Sequence, residues 1–148
     1  MRLLDLHRIK PMLGCRLGAV TNHPQRTNKS SPCQQITGGP GDGTLIEFAS
    51  ADTYYFERGD GIDTIRDNDN YRGQTDKIVF GEGITPEQLV FSKVGAHIQI
   101  DLLDAQGELS GDRITILHAV IYTVYRIEFI EFADGSSLNS AEILALAQ

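Results

Sequence analysis

A short unit recurs through the middle of the chain: a small or acidic residue, one spacer, then an apolar or aromatic residue. It stands as Gly43-Thr44-Leu45, Asp52-Thr53-Tyr54, Asp63-Thr64-Ile65 and Asp76-Lys77-Ile78, at steps of 9, 11 and 13 residues. A period near nine built on Gly and Asp is the pattern of a parallel β-helix in which each unit is one turn followed by one short strand. Glycine gives the turn its positive φ angles and a close backbone approach. The apolar residue points inward and stacks on its equivalents in neighbouring turns, and the Asp sits where turn meets strand. Carboxylates from successive turns, with turn carbonyls, can then enclose a hard cation; calcium takes about 6–8 oxygen ligands at about 2.3–2.6 Å. Without the ion such carboxylates repel one another, so binding and folding are coupled.

Three stretches carry a resemblance. They are Tyr54-Tyr55-Phe56-Glu57-Arg58-Gly59-Asp60-Gly61-Ile62-Asp63-Thr64-Ile65, then Asp76-Lys77-Ile78-Val79-Phe80-Gly81-Glu82-Gly83-Ile84-Thr85-Pro86-Glu87-Gln88-Leu89, then Arg126-Ile127-Glu128-Phe129-Ile130-Glu131-Phe132-Ala133-Asp134-Gly135. This sequence resembles the last repeats of haemolysin-type calcium-binding (RTX) proteins and the related domain that follows them in some large secreted bacterial proteins. The resemblance spans residues 38–138 and is specific in 54–91 and 126–135. It implies calcium as the bound ion, with Asp52, Asp60 and Asp63 as ligands and with Gly59 and Gly61 shaping the turn and offering carbonyls. The departures limit this. The metal-binding Asp of the first repeat falls on Gly43, with Asp42 one position early, and glycine positions of the second fall on Glu47, Phe48 and Ser50. About one and a half repeats remain where stable stacks need about three. The expectation is one or two weak Ca2+ sites, near the millimolar range of extracellular modules.

Charge divides the chain. Residues 1–36 hold six basic side chains against Asp5, a net +5, so the remaining residues carry −12 of the total −7. Such asymmetry marks a compositional boundary. The basic part, rich in Asn, Ser, Thr, Gln and Pro over 21–35, reads as a disordered leader. Asp5, His7, Arg8 and Lys10 interrupt the apolar run that an N-terminal signal peptide needs. Cys15 and Cys33 leave a disulfide open without establishing one. The net acidity disfavours a nucleic-acid binder, and no stretch approaches the roughly 18 apolar residues of a membrane helix.

The expected fold is all-β: a leader over 1–36, a short, degenerate parallel β-roll over 37–80, and a β-rich cap over 81–148 with one or two short helices. In the cap, Thr85-Pro86-Glu87 has the form of a single helical turn. Val90–Lys93 and His97–Leu103 read as a hairpin around Gly95, and Arg113–Leu117 as a strand. Tyr125–Phe132 alternates strictly, with Tyr125, Ile127, Phe129 and Glu131 on one face. Ser140 would cap a terminal helix. His97 and His118 are read as strand histidines outside any ligand cluster. Asp67-Asn68-Asp69-Asn70 fails as an EF-hand start, because Tyr71 and Ile78 occupy ligand positions.

No nucleophile elbow, zincin or phosphate-loop motif is present in the sequence, so the reading is a non-enzyme. The resemblance implies secretion through an uncleaved C-terminal signal and type I secretion machinery, with the module supporting export and calcium-dependent folding. The competing expectation is a metal-free structural remnant of a truncated secreted toxin or hydrolase.

Overall fold

The computed structural model describes residues 16–17, 25–26, 33–47, 50–68 and 74–148. Among the described residues the fold is all-β with one helix, near residue 140. The first seven strands are β1 (Arg16–Leu17), β2 (Gln25–Arg26), β3 (Cys33–Thr37), β4 (Gly43–Glu47), β5 (Ala51–Phe56), β6 (Ile62–Asp67) and β7 (Lys77–Phe80). They alternate between two sheets. β1, β3, β5 and β7 lie in one and β2, β4 and β6 in the other, and within each sheet successive strands of these series pair in parallel.

The register explains the nine-residue unit. Cys33 pairs with Ala51 and Arg16 with Gln34, both 18 residues on, while Gly43 pairs with Asp63, 20 residues on. One nine-residue unit carries the chain from one sheet to the other, and two units complete a coil. Stacking then aligns the inward residues. Ile36, Tyr54, Ile78 and Ile130 form one column, and Leu45 and Ile65 lie side by side facing it from the second sheet. The period-2 alternation of each strand directs these residues into the core.

After β7 the winding is interrupted. A single 3-10 turn (Pro86–Gln88) leads into the antiparallel strands β8 (Leu89–Val94), β9 (His97–Leu103) and β10 (Leu109–Ile116). β10 returns parallel to β6, with Arg113 opposite Ile62. β11 (Phe129–Glu131) then pairs parallel to β7, and β12 (Ser137–Asn139) folds back on β11. The helix α1 (Ser140–Leu146) closes the end, burying Ile143. This β-rich unit covers the edges that a parallel stack would otherwise leave unpaired. No helix among the described residues is long and apolar enough to cross a membrane.

Several expectations change in detail. The boundary drawn at residue 36 falls inside β3, and Arg16–Leu17 and Gln25–Arg26 are strands stacked on the next coil. Parallel pairing is a backbone interaction set by the strand beneath, so a polar composition does not reveal it. Cys33 is disulfide-bonded; Cys15, the other half of the bridge left open from sequence, lies outside the described residues. The long strand expected over Tyr125–Phe132 is divided. Thr123–Tyr125 is a 3-10 turn, and only Phe129–Glu131 is strand, because only those residues have β7 alongside as a ladder partner. Ile127, expected on the face of the exposed Phe129, is instead buried. The cap of α1 is Asn139, one residue before the expected Ser140. Its Oδ1 accepts from the N–H groups of Ala141 and Glu142, while Glu142 Oε2 accepts from the Asn139 N–H, a reciprocal capping box. His118 lies beyond β10 in a turn rather than in a strand.

Candidate metal centre

Strand ends place acids at both edges of the coil interior. In β5 the inward residues are Asp52, Tyr54 and Phe56; in β6 they are Asp63, Ile65 and Asp67. Asp76, just ahead of β7, shares the inward parity of Ile78 and Phe80. The sheets run in opposite senses, so the start of β5, the end of β6 and the start of β7 meet at one edge. There Asp52, Asp67 and Asp76 each offer an oxygen within 4.8 Å of the others. All three are at most 1% exposed. Glu47, also buried, stacks in register on Asp67.

Local hydrogen bonds fix these carboxylates. Ser50 Oγ, standing at a glycine position of the repeat, lies 2.8 and 2.9 Å from the two oxygens of Asp52 and donates to them. The Tyr54 hydroxyl donates to Asp67 Oδ2 at 2.7 Å. The Asp52 N–H donates to Asp76 Oδ1 at 2.8 Å, and the Asp76 N–H donates to Glu128 Oε2 at 2.8 Å. Burial, and next the charge of Asp67, push the Asp76 carboxyl up to about 8. Burial raises the Tyr54 phenol well above its ordinary value, with Asp67 adding to the shift.

The opposite edge holds Asp60 and Asp63. Asp63 is 1% exposed. Its Oδ1 accepts from the Gly43 N–H at 3.0 Å, and its Oδ2 is buried with no hydrogen-bond partner among the described residues. A side chain at Gly38 would overlap this carboxylate. Burial, offset in part by the Gly43 N–H, raises the Asp63 carboxyl to about 6. Asp60 Oδ2 closes its own turn by accepting from the Glu57 N–H at 2.8 Å, and its carbonyl accepts from the Gly41 N–H at 2.9 Å. Gly59 and Gly61, both at φ +88°, donate to the two oxygens of Asp112 at 3.1 Å each. The Gly61 carbonyl accepts from the Arg113 N–H.

The five residues singled out from sequence therefore divide. Asp52 is separated from Asp60 and Asp63 by the length of β5, more than ~13 Å of extended chain. The partners of Asp52 are Asp67 and Asp76, neither of which the sequence reading named as a ligand. Asp76 already stood in the repeat series and shares its register with Asp52; that was the available signal. Asp67 carried its inward parity and its place at the head of the acidic group Asp67-Asn68-Asp69-Asn70, which fails as an EF-hand start.

The donor set at the Asp52 edge is all oxygen, which suits calcium, magnesium or manganese rather than zinc. Two oxygens facing each other across a calcium ion lie about 4.6–5.2 Å apart, given its bond lengths. The three carboxylates' oxygens all lie within 4.8 Å of one another, close enough to share one such ion.

Residues 109–142, from β10 into α1, match the family described as the haemolysin-type calcium binding protein related domain. Over 96 residues, 65% of the chain, the sequence is 33% identical to the iron-regulated protein FrpA of Neisseria meningitidis serogroup C. The chain spans 8% of the length of that relative. The resemblance to haemolysin-type calcium-binding proteins rests on these matches together with the stretches quoted above.

Proposed function

We propose that this chain is a non-catalytic, calcium-binding module of a larger secreted protein, and that Asp52, Asp67 and Asp76 hold the ion. The observation that carries this reading is the convergence of three fully buried carboxylates from β5, β6 and β7 within 4.8 Å. The family match over 109–142 supports it. Bound calcium would supply the positive charge that lets these carboxylates ionise together. It would also tie three successive strands of the coil, so that ion binding adds directly to folding stability. Asp63 is the position for a second, weaker ion. Export belongs to the same proposal: the resemblance implies that type I secretion machinery reads an uncleaved C-terminal signal of the secreted protein.

A second reading has its own observation. Ser50, Tyr54 and the Asp52 N–H already donate to the three carboxylates, as in a metal-free hydrogen-bonded acid cluster. Thermal melting with a calcium titration against EGTA separates the two. A site at ten times its dissociation constant adds about 1.4 kcal/mol. A melting temperature unmoved by calcium through the millimolar range would leave only the metal-free reading.

A further inference from the structure

The turn leaving β10 is anchored by a pair of histidines. His118 has φ +60°, the one positive φ outside glycine among the described residues. Its backbone N–H donates to His97 Nδ1 at 2.9 Å, so that nitrogen presents a lone pair rather than a proton. The His118 carbonyl accepts from the N–H groups of Ile121 at 3.2 Å and Tyr122 at 3.0 Å. Its ring stands edge-on to His97, Tyr122 and Tyr125 at centroid distances of 5.1, 6.4 and 5.2 Å. Two further ties close the turn: the Val120 N–H to the Ala96 carbonyl, and Arg126 Nε to the Ala119 carbonyl. The turn holds Ile121, Tyr122 and Val124 exposed at its surface.

We propose that His97 is a proton-operated latch on the 117–126 turn. A proton taken from solvent at Nδ1 turns the acceptor into a second N–H donor facing the His118 N–H. The hydrogen bond is lost, and with it the anchor of a residue held in a sparsely populated backbone conformation. Histidine is the side chain whose charge ordinarily changes between about pH 5 and 8. The titratable groups around the pair are His118, Tyr122 and Tyr125 of the turn. The cations on adjoining elements are Lys93 of β8, paired opposite Ile98, and Arg126. Neither imidazole is in an ion pair with a carboxylate among the described residues. The turn lies against the β6 strand of the coil, where the Leu117 N–H donates to the Ile65 carbonyl at 2.9 Å, and the charged residues at that end of β6 are Arg66 and Asp67.

The test is amide hydrogen exchange by NMR on the full chain, expressed as protection factors, at about pH 8 and about pH 5. Protection of the His118 and Val120 amides should fall about tenfold at the lower pH, the size expected for one ordinary hydrogen bond. Amides of Ile98, Ile114 and Ile116 should stay protected, which separates local release from unfolding. His97→Asn, whose Oδ1 accepts at every pH, should keep the two amides protected at both pH values. His97→Phe should leave them exchanging fast at both. Equal wild-type protection at the two pH values would overturn the latch. So would a fall in His97→Asn as large as in the wild type, a comparison that stands even if His97→Phe does not fold.

Discussion

The Gly43 N–H donates to Asp63 Oδ1 at 3.0 Å, and the Cβ that Gly43 lacks would sit 2.7 Å from the same oxygen. The residue that departs from the repeat pattern is thus the one that makes room for the carboxylate of the next coil. The hydrogen bond recurs on the other sheet, there from residues that carry side chains: the Asp52 N–H meets Asp76 and the Asp76 N–H meets Glu128. A carboxylate of one coil accepts from the backbone of the equivalent residue one coil earlier. This ladder holds the stack together independently of any ion.

Restoring the carboxylate at position 43 should therefore weaken the metal-free fold. Gly43→Asp brings a Cβ against Asp63 Oδ1 and a like charge beside it, and should cost roughly 1–3 kcal/mol. Gly43→Ala isolates the steric part and should cost less. Thermal melts in EGTA measure both. A Gly43→Asp variant that melts at or above the parent temperature contradicts the ladder.

Asp76→Asn keeps an oxygen for the Asp52 N–H while removing one buried charge. The metal-free variant should melt higher than the parent at pH 8, because to fold there the parent must either take up a proton or bury the charge of a carboxyl that burial and Asp67 raise to about 8. Calcium should bind it about tenfold or more weakly, since ligand charge sets affinity in such sites. Calorimetric titration reads the second effect, and undiminished affinity would move the ion elsewhere.

The acidic edges set a pH dependence of definite sign. Asp63 and Asp76 start from 3.8 and rise to about 6 and about 8 in the fold. The folded state binds these protons more tightly than the unfolded chain, so their contribution to stability is complete below about 3.8. It is lost as pH rises through 6 and then 8. The metal-free chain should accordingly melt higher at pH 5 than at pH 8. Calcium competes with those protons, so saturating calcium should flatten or reverse the trend. A metal-free melting temperature that climbs from pH 5 to pH 8 would show that these carboxyls ionise freely in the fold.

Asp112 joins the cap to the coil by accepting from Gly59 and Gly61 at 3.1 Å each. Asp112→Ala leaves both donors without their acceptor and should cost about 1–3 kcal/mol. Asp112→Asn retains one acceptor and should cost less. Urea melts rank the three proteins, and equal midpoints would mean that water replaces Asp112 at no penalty.

Much of this was legible in the chain itself. The repeat of Asp or Gly, spacer and apolar residue announced strands, and its parity set Asp52 with Tyr54, Asp63 with Ile65 and Asp76 with Ile78 on the inward side. The hairpin around Gly95 and the turn at Pro86 were equally local. Strand alternation and turn chemistry are properties of consecutive residues, so sequence determines them. Which acids meet was decided by the tertiary structure. Asp52, Asp67 and Asp76 stand 15 and 9 residues apart, and they converge because two sheets of opposite sense bring one strand's end to another's beginning. That depends on the length of the connections and on register between coils, which no window of neighbouring residues encodes. The glycine at 43 shows the same division: read along the chain it is a missing ligand, and in the fold it is the space and the donor that Asp63 requires.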